Sequence, residues 1–279
     1  MDHSTTLLKH ASQIRGNLVR LSHKQKIPHL ASSLSCVDIL TAAYFGDVLD
    51  ISADNINEKS RDRFILSKGH AGTSLYATLF QKNILEGKTY WATSEFTSPL
   101  AEQPAPFCAP GVEWATGSLG HGLSAGIGMC LASKIQDNPF KVMVLMGDGE
   151  CNEGSVWEAA MFTPAHKLTN LITVVDCNQW QATGRTKNIL SLDPIKEKFQ
   201  AFGWNALEID GHDIGRLITE MRNGYFREDG KPTAIIANCI KGRGISFMED
   251  DNNWHYRTPN EEEVAKAYEE LGLPISDLS

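Results

Sequence analysis

The stretch Lys141-Val-Met-Val-Leu-Met-Gly-Asp-Gly-Glu150 decides the fold. Its apolar run, 142–146, reads as a buried strand that stops at Gly147-Asp148-Gly149. Residues 154–167 carry a helical pattern. A second apolar run follows, Asn170-Leu-Ile-Thr-Val-Val175, which ends at Asp176-Cys177-Asn178. Strand, turn, helix and strand make a βαβ unit with a polar residue after each strand. Open α/β sheets bind ligands at that end. A site for a diphosphate and a hard metal ion is therefore expected there.

Outward from this unit the same alternation continues. Upstream, 63–67 reads as a strand, Lys68-Gly-His-Ala-Gly72 as a turn, and 73–81 as a helix. Residues 5–27, with Leu7, Leu8, Ala11, Ile14, Leu18 and Leu21 at helical spacing, predict a helix that ends at Pro28. A second helix is predicted at 35–45, with Ser35 as N-cap and Asp38 in its first turn. Residues 47–63 are polar and loop-like. Pro99, Pro104, Pro106 and Pro110 make 89–111 irregular, while Tyr90, Trp91, Phe96 and Phe107 predict a packed loop. Gly117–Gly122 leads into a helix at 123–134.

Downstream, helices are expected at 193–202 and 211–223 and strands at 205–209 and 233–239, then a glycine-rich turn at 241–244. Pro259 and Asn260 cap a helix at 261–270. The expected architecture is α/β: a doubly wound, mainly parallel sheet flanked by helices. With no repeat or linker, residues 1–279 read as one domain.

Composition narrows the function. A net charge of −8 argues against nucleic acid or an anionic membrane as the main partner. The hydrophobic fraction of 42% is ordinary for a globular protein. Six cysteines without a CxxC pair read as reduced thiols. With no signal peptide after Met1 and no apolar run of spanning length, a cytoplasmic location is expected.

Asp148 and Asn178 lie 30 positions apart, each just after a strand. A carboxylate and an amide oxygen suit Mg²⁺ or Ca²⁺, with phosphate and water completing the shell. Gly147 and Gly149 let backbone N–H groups approach a phosphate. Gly-Asp-Gly alone would more often be a capped strand-end turn.

Gly-Asp-Gly followed some thirty residues later by Asn resembles the thiamine diphosphate signature. Ile65-Leu-Ser-Lys-Gly-His-Ala71, Pro110-Gly-Val-Glu-Trp-Ala-Thr-Gly-Ser-Leu-Gly120, Gly147-Asp-Gly-Glu-Cys-Asn-Glu-Gly154 and Lys241-Gly-Arg-Gly-Ile-Ser-Phe247 resemble transketolase segments in the same order. The chain as a whole resembles the diphosphate-binding (PP-type) half of a transketolase encoded as a separate subunit. The resemblance implies thiamine diphosphate with Mg²⁺, for which Ca²⁺ or Mn²⁺ can substitute.

It makes Asp148, Asn178 and the Trp180 carbonyl the metal ligands. Gly147 and Gly149 would lie on the diphosphate, with His70 and His255 contacting diphosphate or substrate. Gly117 and Leu119 would lie against the cofactor's rings, and His29 would be an active-site histidine. Glu153 and Glu158 resemble acidic residues that link two active sites across a dimer.

Two positions depart from the family's pattern. Where transketolases usually have Gly-His-Pro, this chain has Glu102-Gln103-Pro104, and Tyr256 replaces a common glycine. Gln103 can donate and accept hydrogen bonds but cannot act as a general acid, so an altered donor or acceptor is expected.

The implied reaction transfers a two-carbon ketol unit from a phosphorylated or otherwise anionic ketose to an aldose. The glutamate that activates the cofactor's pyrimidine belongs to a domain that would begin where this chain ends, at Ser279. A partner with pyrimidine-binding and C-terminal domains, in an α₂β₂ assembly, is therefore expected. Alternatives are a split transketolase for an unusual sugar (sulfosugar, branched sugar or specialised metabolism) and a non-catalytic binding or regulatory subunit. A 2-oxo acid dehydrogenase α-subunit or a deoxyxylulose-phosphate synthase would share the metal motif, but the Ser-Lys-Gly-His and Asn-Glu-Gly segments argue against both.

Overall fold

The computed structural model describes residues 3–274. Met1, Asp2 and 275–279, on which the readings of the two chain ends fall, lie outside them. In chain order the elements are α1 (His3–Gln25), α2 (Leu30–Ser35), α3 (Val37–Phe45), β1 (Arg63–Leu66), α4 (Gly72–Gln81), α5 (Gly87–Trp91), α6 (Gly122–Ile135), β2 (Val142–Gly147) and α7 (Gly154–Ala165). β3 (Leu171–Cys177), α8 (Thr186–Leu190), α9 (Ile195–Ala201), β4 (Asn205–Asp210), α10 (Ile214–Tyr225), β5 (Thr233–Asn238) and α11 (Glu261–Glu270) complete the fold.

Among the described residues five strands form one parallel sheet, in the order β1-β2-β3-β5-β4. Parallel strands need both faces covered, which is why the central ones are continuous apolar runs. Every residue of β2 is buried, whereas the edge strand β4 alternates. Phe64, Met143, Leu145, Ile172, Val174 and Ile235 face one core beneath α1, α3, α4 and α10. Ile65, Val144, Met146, Val175 and Ile236 face the other, beneath α6, α7 and α9. On that side Gly126 lets α6 approach the sheet, since a Cβ there would stand 2.6 Å from Val144 Cγ2. The doubly wound, parallel architecture is as expected.

Several local expectations need correction. Leu8 is exposed on α1, while Leu7, Ala11, Ile14, Leu18 and Leu21 form its buried stripe. Ser35 is not an N-cap. It ends α2, and its hydroxyl donates to both carboxylate oxygens of Asp176 at 2.6 and 2.8 Å. A buried carboxylate needs donors more than a helix end does, so the helix predicted at 35–45 begins after Cys36.

In the long loop the first residues form α5. Tyr90 is buried as expected, but Phe96 and Phe107 stand exposed. α8 has no periodic signal in the sequence. α10 starts later than predicted because Asp213 caps it, accepting from Arg216 N at 2.9 Å. Asn260 and Glu263 form a capping box on α11, as the sequence indicates.

Candidate active site

The carboxyl ends of β1, β2 and β3 and the Gly117–Leu119 turn converge on one cavity of about 290 Å³. The start of α2 and the turn Asn252–His255 close it from the side.

The two strand-end turns are bonded to each other. The Asp148 amide donates to the Asp176 carbonyl at 3.2 Å. Asp148 Oδ2 accepts from Gln179 N (3.0 Å) and Thr186 Oγ1 (2.9 Å). Asn178 Oδ1 accepts from Trp180 N at 3.1 Å, while its Nδ2 donates to Ser35 Oγ and Asp176 Oδ2. Gln179 holds φ at +64° between them, a strained conformation for a non-glycine residue.

Asp148 is 3% exposed, and burial pushes its carboxyl up to about 6. A buried carboxyl raised in this way gains from a cation. Among the described residues, no group of three or more His, Cys, Asp or Glu could hold a metal. The donors present are one carboxylate, one amide oxygen and backbone carbonyls, a set that suits a hard cation sharing its shell with phosphate.

Positive charge lies beside them. The Lys68 ammonium is buried against the Asp176 carboxylate and also donates to the Ser32 carbonyl at 3.0 Å. Lys241 Nζ donates to Asn252 Oδ1 (2.7 Å) and His255 Nδ1 (2.8 Å). No carboxylate pairs with Lys241 among the described residues. Burial, and then the like charge of Lys68, pull its ammonium down to about 8. A cation so placed fits an anionic ligand.

Glu150 staples the cavity floor. Its carboxylate accepts from Ser67 Oγ, from Gly120 N at 2.9 Å and from Gly147 N at 3.1 Å. It therefore ties the turns after β1 and β2 to the Gly117–Gly120 turn. Gly69 lets two of these segments touch. A Cβ there would collide with the Gly117 backbone nitrogen and lie 2.7 Å from the Thr116 carbonyl carbon. Gly69→Ala is expected to lower stability by about 1–3 kcal/mol, read as a lower Tm.

Three histidines line the cavity. Ring centroids are 4.9 Å apart for His29 and His255, 5.6 Å for His29 and His70, and 6.2 Å for His70 and His255. Burial, then the Lys241 ammonium, pull His255 down to about 3. Burial followed by Lys68 holds His70 well below the ordinary histidine range. Both are therefore neutral at pH 7. Since the ammonium must donate, His255 Nδ1 accepts and Nε2 carries the proton.

Of the residues singled out in the sequence, His29, His70, Gly117, Leu119, Gly147, Asp148, Gly149, Asn178, Trp180 and His255 line this one cavity. Three others stand outside it. Gln103 is exposed and its side chain lies over Gly117, where φ is +128°. Glu153 is exposed beside Gly120, and Glu158 is exposed on α7. Sequence reasoning assigned no role to Ser32, Lys68, Glu150, Gln181, Lys241 or Glu102. Lys68 and Glu150 sit inside quoted motifs, and a charged residue at the end of a buried strand was the available signal. Glu102 Oε1 stands 2.7 Å from His29 Nδ1, a pairing across 73 positions that no local pattern encodes.

Residues 9–277 match the family described as transketolase, thiamine diphosphate binding domain. The chain is 38% identical over 273 residues to one of the subunits of the apulose-4-phosphate transketolase of Phocaeicola vulgatus, covering 98% of this chain and 96% of that protein. It is 37% identical over 248 residues to the 6-deoxy-6-sulfo-D-fructose transketolase subunit of Clostridium sp., covering 89% and 90% respectively. The solved transketolase from Leishmania mexicana has the same fold, with a TM-score of 0.88 at 23% identity over 96% of this chain. The chain spans 41% of that longer protein.

Proposed function

The chain belongs to the family of transketolase thiamine diphosphate-binding domains, and we propose that it is the diphosphate-binding subunit of a two-chain transketolase. Residues 1–279 form one such domain. With its partner the subunit moves a two-carbon ketol unit from an anionic ketose to an aldose. The observation that carries this reading is the convergence of Asp148, Asn178 and three histidines on one cavity at the strand ends, with the Lys241 ammonium bonded to one of those histidines, His255.

Thiamine diphosphate, when bound, supplies a nucleophilic carbon for the ketose carbonyl and a sink for the electron pair of the broken carbon–carbon bond. Asp148, Asn178 and the Trp180 carbonyl would hold Mg²⁺, and Ca²⁺ or Mn²⁺ would fit the same oxygens. The Gly149 N–H, Lys241 and His70 would hold the diphosphate, the Gly147 N–H being taken by Glu150. Gly117 and Leu119 would lie along the rings. His255, with its proton on Nε2, would donate to a substrate or phosphate oxygen.

A pH profile follows from the two shifted groups. Below about 6 Asp148 takes up a proton that a metal must displace, and above about 8 Lys241 loses its charge. Metal-dependent cofactor affinity is expected to be level between these values and to fall on both sides, measured by calorimetric titration from pH 5 to 9. A monotonic dependence across this range contradicts the assignment.

Likeness to proteins named as transketolase subunits, over nearly their whole length, supports a partner chain with the pyrimidine-binding and C-terminal domains in an α₂β₂ assembly. The exposed Glu153 and Glu158 are then contacts between copies. Two relatives are named for apulose-4-phosphate and for 6-deoxy-6-sulfo-D-fructose, which supports a donor of unusual structure. The free cysteines support a cytoplasmic setting. The test is a panel of phosphorylated, sulfonated and neutral ketoses assayed with each chain alone and with both. Turnover of anionic donors by the pair only is expected. Turnover by this chain alone contradicts the two-chain reading.

A further inference from the structure

We propose that Glu102 is a positioning residue that fixes the tautomer and orientation of His29, with Tyr256 closing another side of the same ring. Glu102 Oε1 lies 2.7 Å from His29 Nδ1. A carboxylate only accepts, so the hydrogen between them belongs to Nδ1. The neutral ring then carries its lone pair on Nε2, which makes no hydrogen bond to the described residues. Nε2 is the nitrogen left for a ligand in the cavity that His29 lines.

The backbone reinforces this placement. His29 holds φ at +64°, while its N–H donates to the His255 carbonyl (2.8 Å) and its carbonyl accepts from Ser33 N (3.0 Å). The Glu102 segment is held as well, pressed onto the start of α4. A Cβ on Gly72 would stand 2.6 Å from the Glu102 carbonyl oxygen. The Tyr256 ring meets His29 edge-on at 5.3 Å. Glu102 and Tyr256 are both departures from the family's usual glycines, separated by 154 positions (256 − 102), and they meet on one imidazole.

The other titratable groups facing the ring are His70, His255 and Lys241, all unfavourable to a second positive charge. Burial pulls the ring below the ordinary histidine range, and Glu102 opposes that pull. The result is a base held neutral at pH 7 in the tautomer that accepts at Nε2.

What Nε2 accepts rests on the ketol-transfer reading. As the donor's C2–C3 bond breaks, the C3 hydroxyl proton passes to Nε2 and the C3–O bond becomes an aldehyde. The electron pair of the broken bond would be taken up by the sink that the cofactor supplies. The same proton returns to the acceptor's carbonyl oxygen when the new bond forms. Glu102 touches no reacting atom.

The test uses the full chain labelled with ¹⁵N and ¹³C histidine, with His29→Gln identifying the His29 signals. Two-bond ¹H–¹⁵N correlations report the tautomer. Wild type is expected to show Nδ1–H. Glu102→Gln, whose amide oxygen still accepts, is expected to keep that tautomer but lower the ring's titration midpoint by about one pH unit. Glu102→Ala is expected to mix in the Nε2–H form. In the two-chain assembly, Glu102→Ala is expected to cut kcat by about 10–100-fold with cofactor affinity unchanged. Glu102→Gln is expected to recover part of that loss and to move the acid limb of kcat/KM downward. An unaltered His29 tautomer and midpoint in both variants overturns the proposal. If wild-type assembly transfers no ketol unit while His29 still responds to Glu102, the functional reading fails and the positioning claim stands.

Discussion

Replacing Asp148 by asparagine is expected to abolish metal-dependent thiamine diphosphate binding while leaving the chain folded. The carboxylate is buried, and its Oδ2 bonds, to Gln179 N and Thr186 Oγ1, can each be kept by an amide oxygen. What the amide lacks is the charge that neutralises a divalent cation. Loss of a group that only orients a metal ligand typically costs about 10–100-fold in metal affinity, so loss of the charged ligand itself should exceed roughly 100-fold.

The sign of the stability effect separates this from a folding defect. Burial raises the Asp148 pKa from its ordinary 3.8 to about 6, so the folded state disfavours the ionised form. Its contribution to stability is fully present below the ordinary value and is lost as pH rises through about 6. The variant has no such loss. At pH 7.5 the metal-free Tm is expected to stay level or rise, while the increase in Tm on adding Mg²⁺ and cofactor disappears. A variant that retains this increase contradicts the ligand assignment.

Lys68→Met is expected to be the most destabilising single change near the site. Burial alone would pull the Lys68 ammonium down, but the Asp176 carboxylate outweighs it and holds it up. Both side chains are almost wholly inaccessible to water. Removing the cation leaves Asp176 buried with only neutral side-chain donors, Ser35 Oγ and Asn178 Nδ2 among them. Breaking a buried pair from one side costs about 3–5 kcal/mol. A chain of this size loses about 2–4 °C per kcal/mol, so Tm should fall by roughly 10 °C. Because Asn178 hangs on Asp176, metal affinity should fall too. Lys68→Met/Asp176→Asn removes the orphaned charge and is expected to recover most of the Tm. If the double variant melts as low as the single one, the uncompensated charge is not the cause.

The sheet and the polar residues at its strand ends were legible in the sequence because both are written locally. Buried parallel strands are apolar runs, and Asp148 and Asn178 each follow one directly. The motifs around His70 and Gly117 carried much of the rest of the cavity through family resemblance. Other features depend on what the chain brings together at a distance. Ser35 looks like a helix cap until Asp176, 141 positions away, takes its hydroxyl. Gln103 drew attention as a substituted catalytic position, yet it lies exposed over Gly117 while its neighbour Glu102 reaches His29. Likewise, nothing near Lys68 announces Asp176 as its counterion. Local patterns specify elements and strand ends, whereas pairings of buried charge appear only once the sheet is assembled.

The most direct test of the account follows carbon. The chain and its partner, loaded with Mg²⁺ and thiamine diphosphate, are given a ketose labelled with ¹³C at C1 and an unlabelled aldose, and the products are read by carbon NMR. The account predicts label at C1 of a new ketose two carbons longer than the acceptor. Tight cofactor binding with label confined to the donor, for every anionic ketose tried, would contradict it.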